Sequence, residues 1–133
     1  MPRVVLVDDD DAIRNAMKPL LERMAIDVVG EATDGFEALD IVERVKPDVV
    51  LMDVRMPGKN GFEAARDIKE AMPAVQVVFV TAYEDPHPTE SAAAAGAYAY
   101  LLKDSSPELM RDVIMRAAQA KAELELRHHR PEN

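Results

Sequence analysis

Val49-Val50-Leu51-Met52-Asp53-Val54-Arg55-Met56-Pro57-Gly58 is the stretch that decides the fold. Four apolar residues run without alternation, stop at an acid, and are soon followed by Pro57 and Gly58, which forbid regular structure. So short and continuous an apolar run marks a strand buried on both faces, as in a parallel sheet with helices on either side. An aspartate at the carboxyl end of such a strand lies where open α/β sheets place their ligands.

The same pattern recurs on either side of it. Val4-Val5-Leu6-Val7 is another doubly buried strand, and it ends in Asp8-Asp9-Asp10-Asp11. Asp11 is placed to cap a helix from Ala12 to about Arg23, in which Ile13, Ala16, Met17, Leu20, Leu21 and Met24 recur at helical spacing. Pro19 lies inside that helix and is expected to kink or split it. Asp27 to Ala32 reads as a less apolar strand, nearer an edge, and Thr33-Asp34-Gly35 as a turn and cap for a helix from Phe36 to about Val45.

Beyond the Pro57-Gly58-Lys59-Asn60-Gly61 loop, Phe62 to Met72 reads as a helix and Val75 to Val80 as a fourth buried strand that ends at Thr81. A loop, Asp85-Pro86-His87-Pro88, leads to a short alanine-rich helix from Glu90 to Ala95, with Thr89 as its cap and Gly96 as its stop. Ala97 to Leu102 is a fifth strand, followed by Lys103, and a last helix starts at Pro107 and runs to about Arg127. Strand and helix alternate five times. The expectation is an α/β fold, a doubly wound parallel sheet of five strands joined by right-handed crossovers.

Composition bounds the function. A chain of 133 residues is most simply one domain, read here as a body over 1–122 and, over 123–133, an extension of the last helix with a charged tail or linker start. A formal charge of −9 argues against a non-specific nucleic-acid surface and against adsorption to anionic membranes. With no cysteine there is neither a disulfide framework nor a thiolate metal site. Arg3 is followed by only four apolar residues before the acids, too few for a signal peptide, and no apolar stretch approaches membrane-spanning length. The expected location is the cytoplasm.

Four strands end in chemically distinctive residues: the first in Asp8 and Asp9, the third in Asp53, the fourth in Thr81 and the fifth in Lys103. A parallel sheet puts all these ends on one edge, so residues far apart in sequence can converge. Alone, each reads as an ordinary turn residue or cap; together they read as a site. Three carboxylates in one pocket take up a proton or a cation. An all-oxygen set without histidine or cysteine suits a hard divalent ion, with Mg2+ the best match. Lys103 adds a mobile point charge that can meet a phosphoryl oxygen. Thr81 supplies a hydroxyl, and the small Ala82 leaves room beside it. A carboxylate so placed is a nucleophile for phosphoryl transfer, and that makes Asp53 the candidate acceptor.

Four segments together resemble the receiver domains of two-component response regulators: Val5-Leu6-Val7-Asp8-Asp9, Met52 to Gly58, Val80-Thr81-Ala82, and Gly96-Ala97-Tyr98-Ala99-Tyr100-Leu101-Leu102-Lys103. The resemblance implies a sheet of order 2-1-3-4-5 and phosphorylation of Asp53 by a phosphohistidine on a sensor histidine kinase or a histidine phosphotransfer protein. It implies that Asp8, Asp9, Asp53 and the backbone carbonyl of Arg55 hold Mg2+, that Thr81 and Lys103 bind the phosphoryl group, and that Tyr100 is the switch aromatic. Arg55 and Tyr83 stand where the family tunes the lifetime of the phosphate. The chain is then a signalling switch, not a turnover enzyme, that remodels the face of the fourth helix, fifth strand and fifth helix to control a partner or output domain. Lys103 is followed by Asp104, where many relatives carry a proline in a cis peptide.

Other readings compete. A phosphorylation-independent interaction module on the same fold is the alternative. An aspartate-nucleophile phosphatase wants an acid two residues after the nucleophile, where this chain has Arg55. A flavodoxin-like flavin binder wants a Ser-, Thr- and Gly-rich loop where this chain has four aspartates, and a P-loop would need Gly-Lys-Ser/Thr. In the last helix, Met110, Val113, Ala117, Ala120 and Leu124 keep their spacing beyond the length needed to cover one sheet. That suits either a covering helix with a frayed end or one reaching an output domain or a second copy. A homodimer would form through that helix or through the fourth-helix, fifth-strand, fifth-helix face.

Overall fold

Strand and helix alternate in the computed structural model, which describes residues 1–82 and 88–128. The elements are β1 (Arg3–Val7), α1 (Asp11–Arg23), β2 (Asp27–Ala32), α2 (Gly35–Val45), β3 (Val49–Met52), α3 (Gly61–Ala71), β4 (Gln76–Thr81), α4 (Pro88–Ala94), β5 (Ala99–Leu102) and α5 (Pro107–His128). The five strands form one parallel sheet in the order β2-β1-β3-β4-β5, as expected. Val7 pairs with Met52, Met52 with Phe79 and Phe79 with Tyr100, so the carboxyl ends of the four strands that carry the candidate residues lie in step.

Because side chains alternate along a strand, each central strand feeds two cores. Val5, Val7, Val50, Met52, Val77 and Phe79 face the layer that buries Ala38 and Val42 of α2, and Ala64, Ala65 and Ile68 of α3. Val4, Leu6, Val49, Leu51, Val78 and Val80 face Leu21 of α1 and Met110, Ile114 and Ala117 of α5. All of β3 and β4 is buried, which is why their sequences show no polar alternation. β2 is mostly half-buried, as befits an edge strand.

The ends of the helices differ in detail from expectation. Asp10, not Asp11, caps α1: its backbone is extended, and its carboxylate accepts from the Ala12 and Ile13 amides at 2.9 and 3.4 Å. Asp11 is already inside the first turn, where an acid meets the positive helix end. Pro19 does not split α1, which is one helix over 13 residues with the proline exposed. Only Leu21 of the apolar stripe is fully buried; Met17 and Met24 pack beside it, and Ala16 is exposed. α4 begins at Pro88, so Thr89 lies in its first turn and is not its cap. Gly96 does end it, at φ +81°. Tyr83 and the Asp85-Pro86-His87 segment lie outside the described residues. The described residues contain no cis peptide bond, so Lys103–Asp104 is trans.

α3 carries a capping box that is not among the expectations above. The Asn60 side chain accepts from the Glu63 amide at 2.9 Å, and Glu63 accepts in return from the Asn60 amide at 3.2 Å. This reciprocal pair sets where α3 begins, and with it the loop that follows Asp53. Among the described residues, no helix is long and apolar enough to cross a membrane.

Candidate functional site

The three aspartates meet at the carboxyl edge of the sheet. Asp8, Asp9 and Asp53 each offer a carboxylate oxygen within 4.8 Å of the others. Asp8 and Asp53 are buried, while Asp9 is exposed. Backbone ladders carry over from the strands and hold the site: the Asp53 amide donates to the Val7 carbonyl at 2.9 Å and the Asp8 amide to the Ala32 carbonyl at 3.1 Å. One oxygen of Asp53 accepts from the Val54 amide at 2.8 Å, and one of Asp8 accepts from the Asp10 amide at 2.9 Å. Each of these two carboxylates is thus pinned by one main-chain donor and presents its other oxygen to the site.

Lys103 closes the pocket from β5. Its Nζ lies 2.8 Å from Asp8 Oδ2 and 3.3 Å from Asp53 Oδ2, with the side chain largely buried. Burial is the largest single influence and works against the ammonium. The hydrogen bond to Asp8 and the charges of Asp53 and Asp8 together outweigh it and hold Lys103 above the usual lysine range. Lys103 is positioned by its own amide, which donates to the Thr81 carbonyl at 2.9 Å. Thr81 is the last residue of β4 and is 1% exposed. The structure therefore joins Asp8, Asp9, Asp53 and Lys103 in one cluster and ties Thr81 to it through the main-chain bond to Lys103.

The peripheral candidates are less tightly gathered. Arg55 is exposed and lines, with Asp9, Val54, Met56, Asn60 and Phe62, an open cleft of about 470 Å3 beside the aspartates. Tyr100 is half-buried, its ring 6.4 Å from that of Phe79, which in turn packs edge-on against Phe62 at 5.0 Å. Tyr98, two positions earlier, is 42% exposed.

Two residues that matter to the geometry were not legible as such. Gly61 opens α3 directly against Asp53: a Cβ there would stand 2.2 Å from the Asp53 carbonyl oxygen, so only glycine lets the helix start this close. Arg14 of α1 donates from its guanidinium to the carbonyl of Asp8, and also to Glu31 and Asp11. The three-residue spacing of Asp11 and Arg14 hints at one of these contacts; the contacts with Asp8 and Glu31 depend on tertiary structure.

Chemically, the arrangement is a cluster of oxygen donors of high negative charge, a fixed ammonium and a cleft open to an incoming group. Three carboxylates with no nitrogen or sulfur ligand are the donor chemistry that a hard divalent cation takes, so these residues fit Mg2+.

Comparison with known proteins gives the family. The family model described as the response regulator receiver domain matches residues 4–115. The transcriptional regulatory protein YxjL of Bacillus subtilis is 39% identical over 121 residues, covering 90% of this chain and 56% of its own length. Response regulator GacA of Pseudomonas aeruginosa is 41% identical over 116 residues, covering 86% of this chain and 54% of its own. The chain thus spans about half the length of these curated relatives. The signal receiver domain of the response regulator NarL from Mycobacterium tuberculosis superposes with a TM-score of 0.83 at 33% identity, covering 89% of this chain and 96% of that one. By fold, by the match over 4–115 and by identity to these relatives, the chain belongs to the response regulator receiver domain family.

Proposed function

We propose that Asp53 accepts a phosphoryl group from a phosphohistidine on a sensor histidine kinase or a histidine phosphotransfer protein, and that the chain uses this single step on itself as a signalling switch. The observation that carries the proposal is the convergence of Asp8, Asp9 and Asp53 oxygens within 4.8 Å, with Lys103 Nζ 2.8 Å from Asp8 and 3.3 Å from Asp53.

Asp8, Asp9, Asp53 and the carbonyl of Arg55 would hold Mg2+. When bound, the ion supplies charge neutralisation to the oxygens of the group in transfer. The remaining work falls to side chains of this chain. The Asp53 oxygen not held by the Val54 amide attacks phosphorus, the P–N bond to the donor imidazole breaks, and its electron pair stays with the imidazole, which takes up a proton. Lys103, already drawn to Asp53, meets a phosphoryl oxygen, and the Thr81 hydroxyl donates to another. The product holds about one more negative charge than the carboxylate it replaces. That added charge biases a two-state equilibrium: Thr81 and Lys103 move toward the new oxygens, and Tyr100 responds on β5. The face of α4, β5 and α5 is then remodelled and reads out to a partner, an output domain or a second copy. Tyr98 just before β5 and Leu109 in the first turn of α5 leave apolar surface there.

Residues 1–122 are read as the working body and 123–133 as an extension of the last helix with a charged tail or linker start, in a chain placed in the cytoplasm. α5 supports that division: it continues to His128, with Leu126 72% exposed. Arg55 at the cleft, and Tyr83, govern how readily water reaches the acyl phosphate.

The test is intact-protein mass after incubation with acetyl phosphate, with and without Mg2+, for the wild type and Asp53→Asn. One added phosphoryl group, dependent on Mg2+ and lost in the variant, supports the proposal. A Mg2+-dependent adduct that persists in Asp53→Asn would move the acceptor elsewhere. No adduct, together with no binding shift on adding beryllofluoride, would leave a phosphorylation-independent interaction module.

A further inference from the structure

Behind the acidic edge runs a chain of polar contacts that the phosphoacceptor chemistry does not use directly. Lys18 Nζ holds Glu31 Oε2 at 2.9 Å, and Glu31 Oε1 holds Arg14 Nε at 3.2 Å. Arg14 in turn donates through Nη1 to the carbonyl oxygen of Asp8 and through Nη2 to Asp11. The Arg14 side chain is 11% exposed, and all three of its donating nitrogens are engaged. It also shares with Asp8 and Asp53 the wall of a small cavity of about 10 Å3. The guanidinium therefore ties three elements together: α1, the edge strand β2, and the turn on which Asp8 and Asp9 sit.

We propose that Arg14, braced by Glu31, is a positioning residue for the cation site, one that acts through the Asp8 carbonyl and makes no contact with the ion. The inference rests on the receiver reading above. A planar fork with donors aimed at two carboxylates and a carbonyl fixes direction as well as distance, which the point charge of lysine does not. The Asp8 carbonyl and the Asp9 amide are one peptide unit. Holding that oxygen holds the plane from which both carboxylates project. Free of the fork, the turn would sample orientations in which the two acids spread apart under their mutual repulsion.

The sign of the effect separates this role from simple charge. A cation near an acidic site repels Mg2+, so if Arg14 mattered only as a charge, its removal would tighten Mg2+ binding. If Arg14 positions the turn, its removal weakens binding by about tenfold, the size typical of partners that orient metal ligands from behind.

The experiment is a titration of the full chain with MgCl2 alone at constant ionic strength, followed by backbone amide shifts, for the wild type, Arg14→Met, Arg14→Lys, Glu31→Gln and the double variant Arg14→Met/Glu31→Gln. Circular dichroism verifies the fold of each. Positioning predicts weaker binding in Arg14→Met and also in Arg14→Lys, where the charge is kept and the fork is lost. It further predicts that Glu31→Gln weakens binding in the wild type but adds nothing once Arg14 is gone. Unchanged or tighter binding in Arg14→Met, or full affinity in a folded Arg14→Lys, would overturn the inference and leave the receiver reading intact. A wild type that binds no Mg2+ and takes no phosphoryl group would overturn both.

Discussion

Gly61 begins α3 so close to Asp53 that a Cβ on it would lie 2.2 Å from the Asp53 carbonyl oxygen and 2.9 Å from the Val54 Cα. The opposing atoms are backbone, so relief would require moving the loop that carries the phosphoacceptor. Gly61→Ala is expected to cost about 2 kcal/mol of stability, as overpacking does, and to slow phosphorylation of Asp53. Gly96→Ala is the control. It strains a residue at φ +81° next to the flexible Lys69 side chain, costs about 1 kcal/mol, and leaves the phosphorylation rate unchanged. Urea denaturation and the rate of acetyl phosphate labelling check both.

Lys103 contacts the carboxylate oxygens that Mg2+ would take, unlike Arg14, which meets Asp8 only at its backbone carbonyl. The two cations should therefore behave in opposite ways. Lys103→Met leaves the acids without their ammonium, lowers the stability of the metal-free protein and tightens Mg2+ binding. It also shortens the life of the phosphorylated form, because a phosphoryl oxygen loses its counter-charge. Amide-shift titration and time-resolved intact mass measure the two effects. Weaker Mg2+ binding in this variant would show that Lys103 orders the acids more than it competes for them.

Removal of the metal should itself be visible in stability. An ion bound to the folded state alone, at about a hundred times its dissociation constant, adds about 2.7 kcal/mol. Asp9 is exposed and belongs to the acidic cluster, so Asp9→Asn should fold well, gain stability without metal by relieving repulsion, and lose most of the Mg2+ increment. Thermal melts with Mg2+ and with EDTA give the comparison. An equal Mg2+ shift in wild type and Asp9→Asn would remove Asp9 from the ligand set.

Acid should loosen the brace behind the site. Glu31 is held below the usual glutamate range, first by the hydrogen bond from Lys18; burial opposes this, and the charge of Lys18 and the bond from Arg14 add to it. A carboxylate with a depressed folded-state pKa stabilises the fold fully above its unfolded-state pKa. That contribution is lost as pH falls through the folded-state value. Stability should therefore decline on acidification below the ordinary glutamate range, and Glu31→Gln should flatten that part of the profile. Denaturant midpoints across the acid range provide the check, and an unaltered slope in the variant would show that the ion pairs carry no net energy.

Much of this is legible in the sequence alone. Unbroken apolar runs at Val4–Val7 and Val49–Met52 signal strands covered on both faces, and alternation with helices leaves few topologies open. Asp8, Asp9, Asp53, Thr81 and Lys103 were readable as a group because a parallel sheet aligns its carboxyl ends, a rule that needs only the order of elements along the chain. Helix ends were harder to place. Asp10 and Asp11 are chemically the same, and only backbone geometry selects Asp10 as the cap.

By itself, the sequence determined the fold class and the residues at the acidic edge, because both follow from local periodicity and from where each strand stops; the strand order came only with the family resemblance. Tertiary structure alone decided how those residues are held. The Lys103 contacts to Asp8 and Asp53, the Gly61 approach to the Asp53 carbonyl, and the Arg14 fork between Glu31 and the Asp8 carbonyl join elements distant along the chain. Such contacts depend on how helices settle against the sheet to within fractions of an ångström, and no periodicity in the sequence encodes that distance.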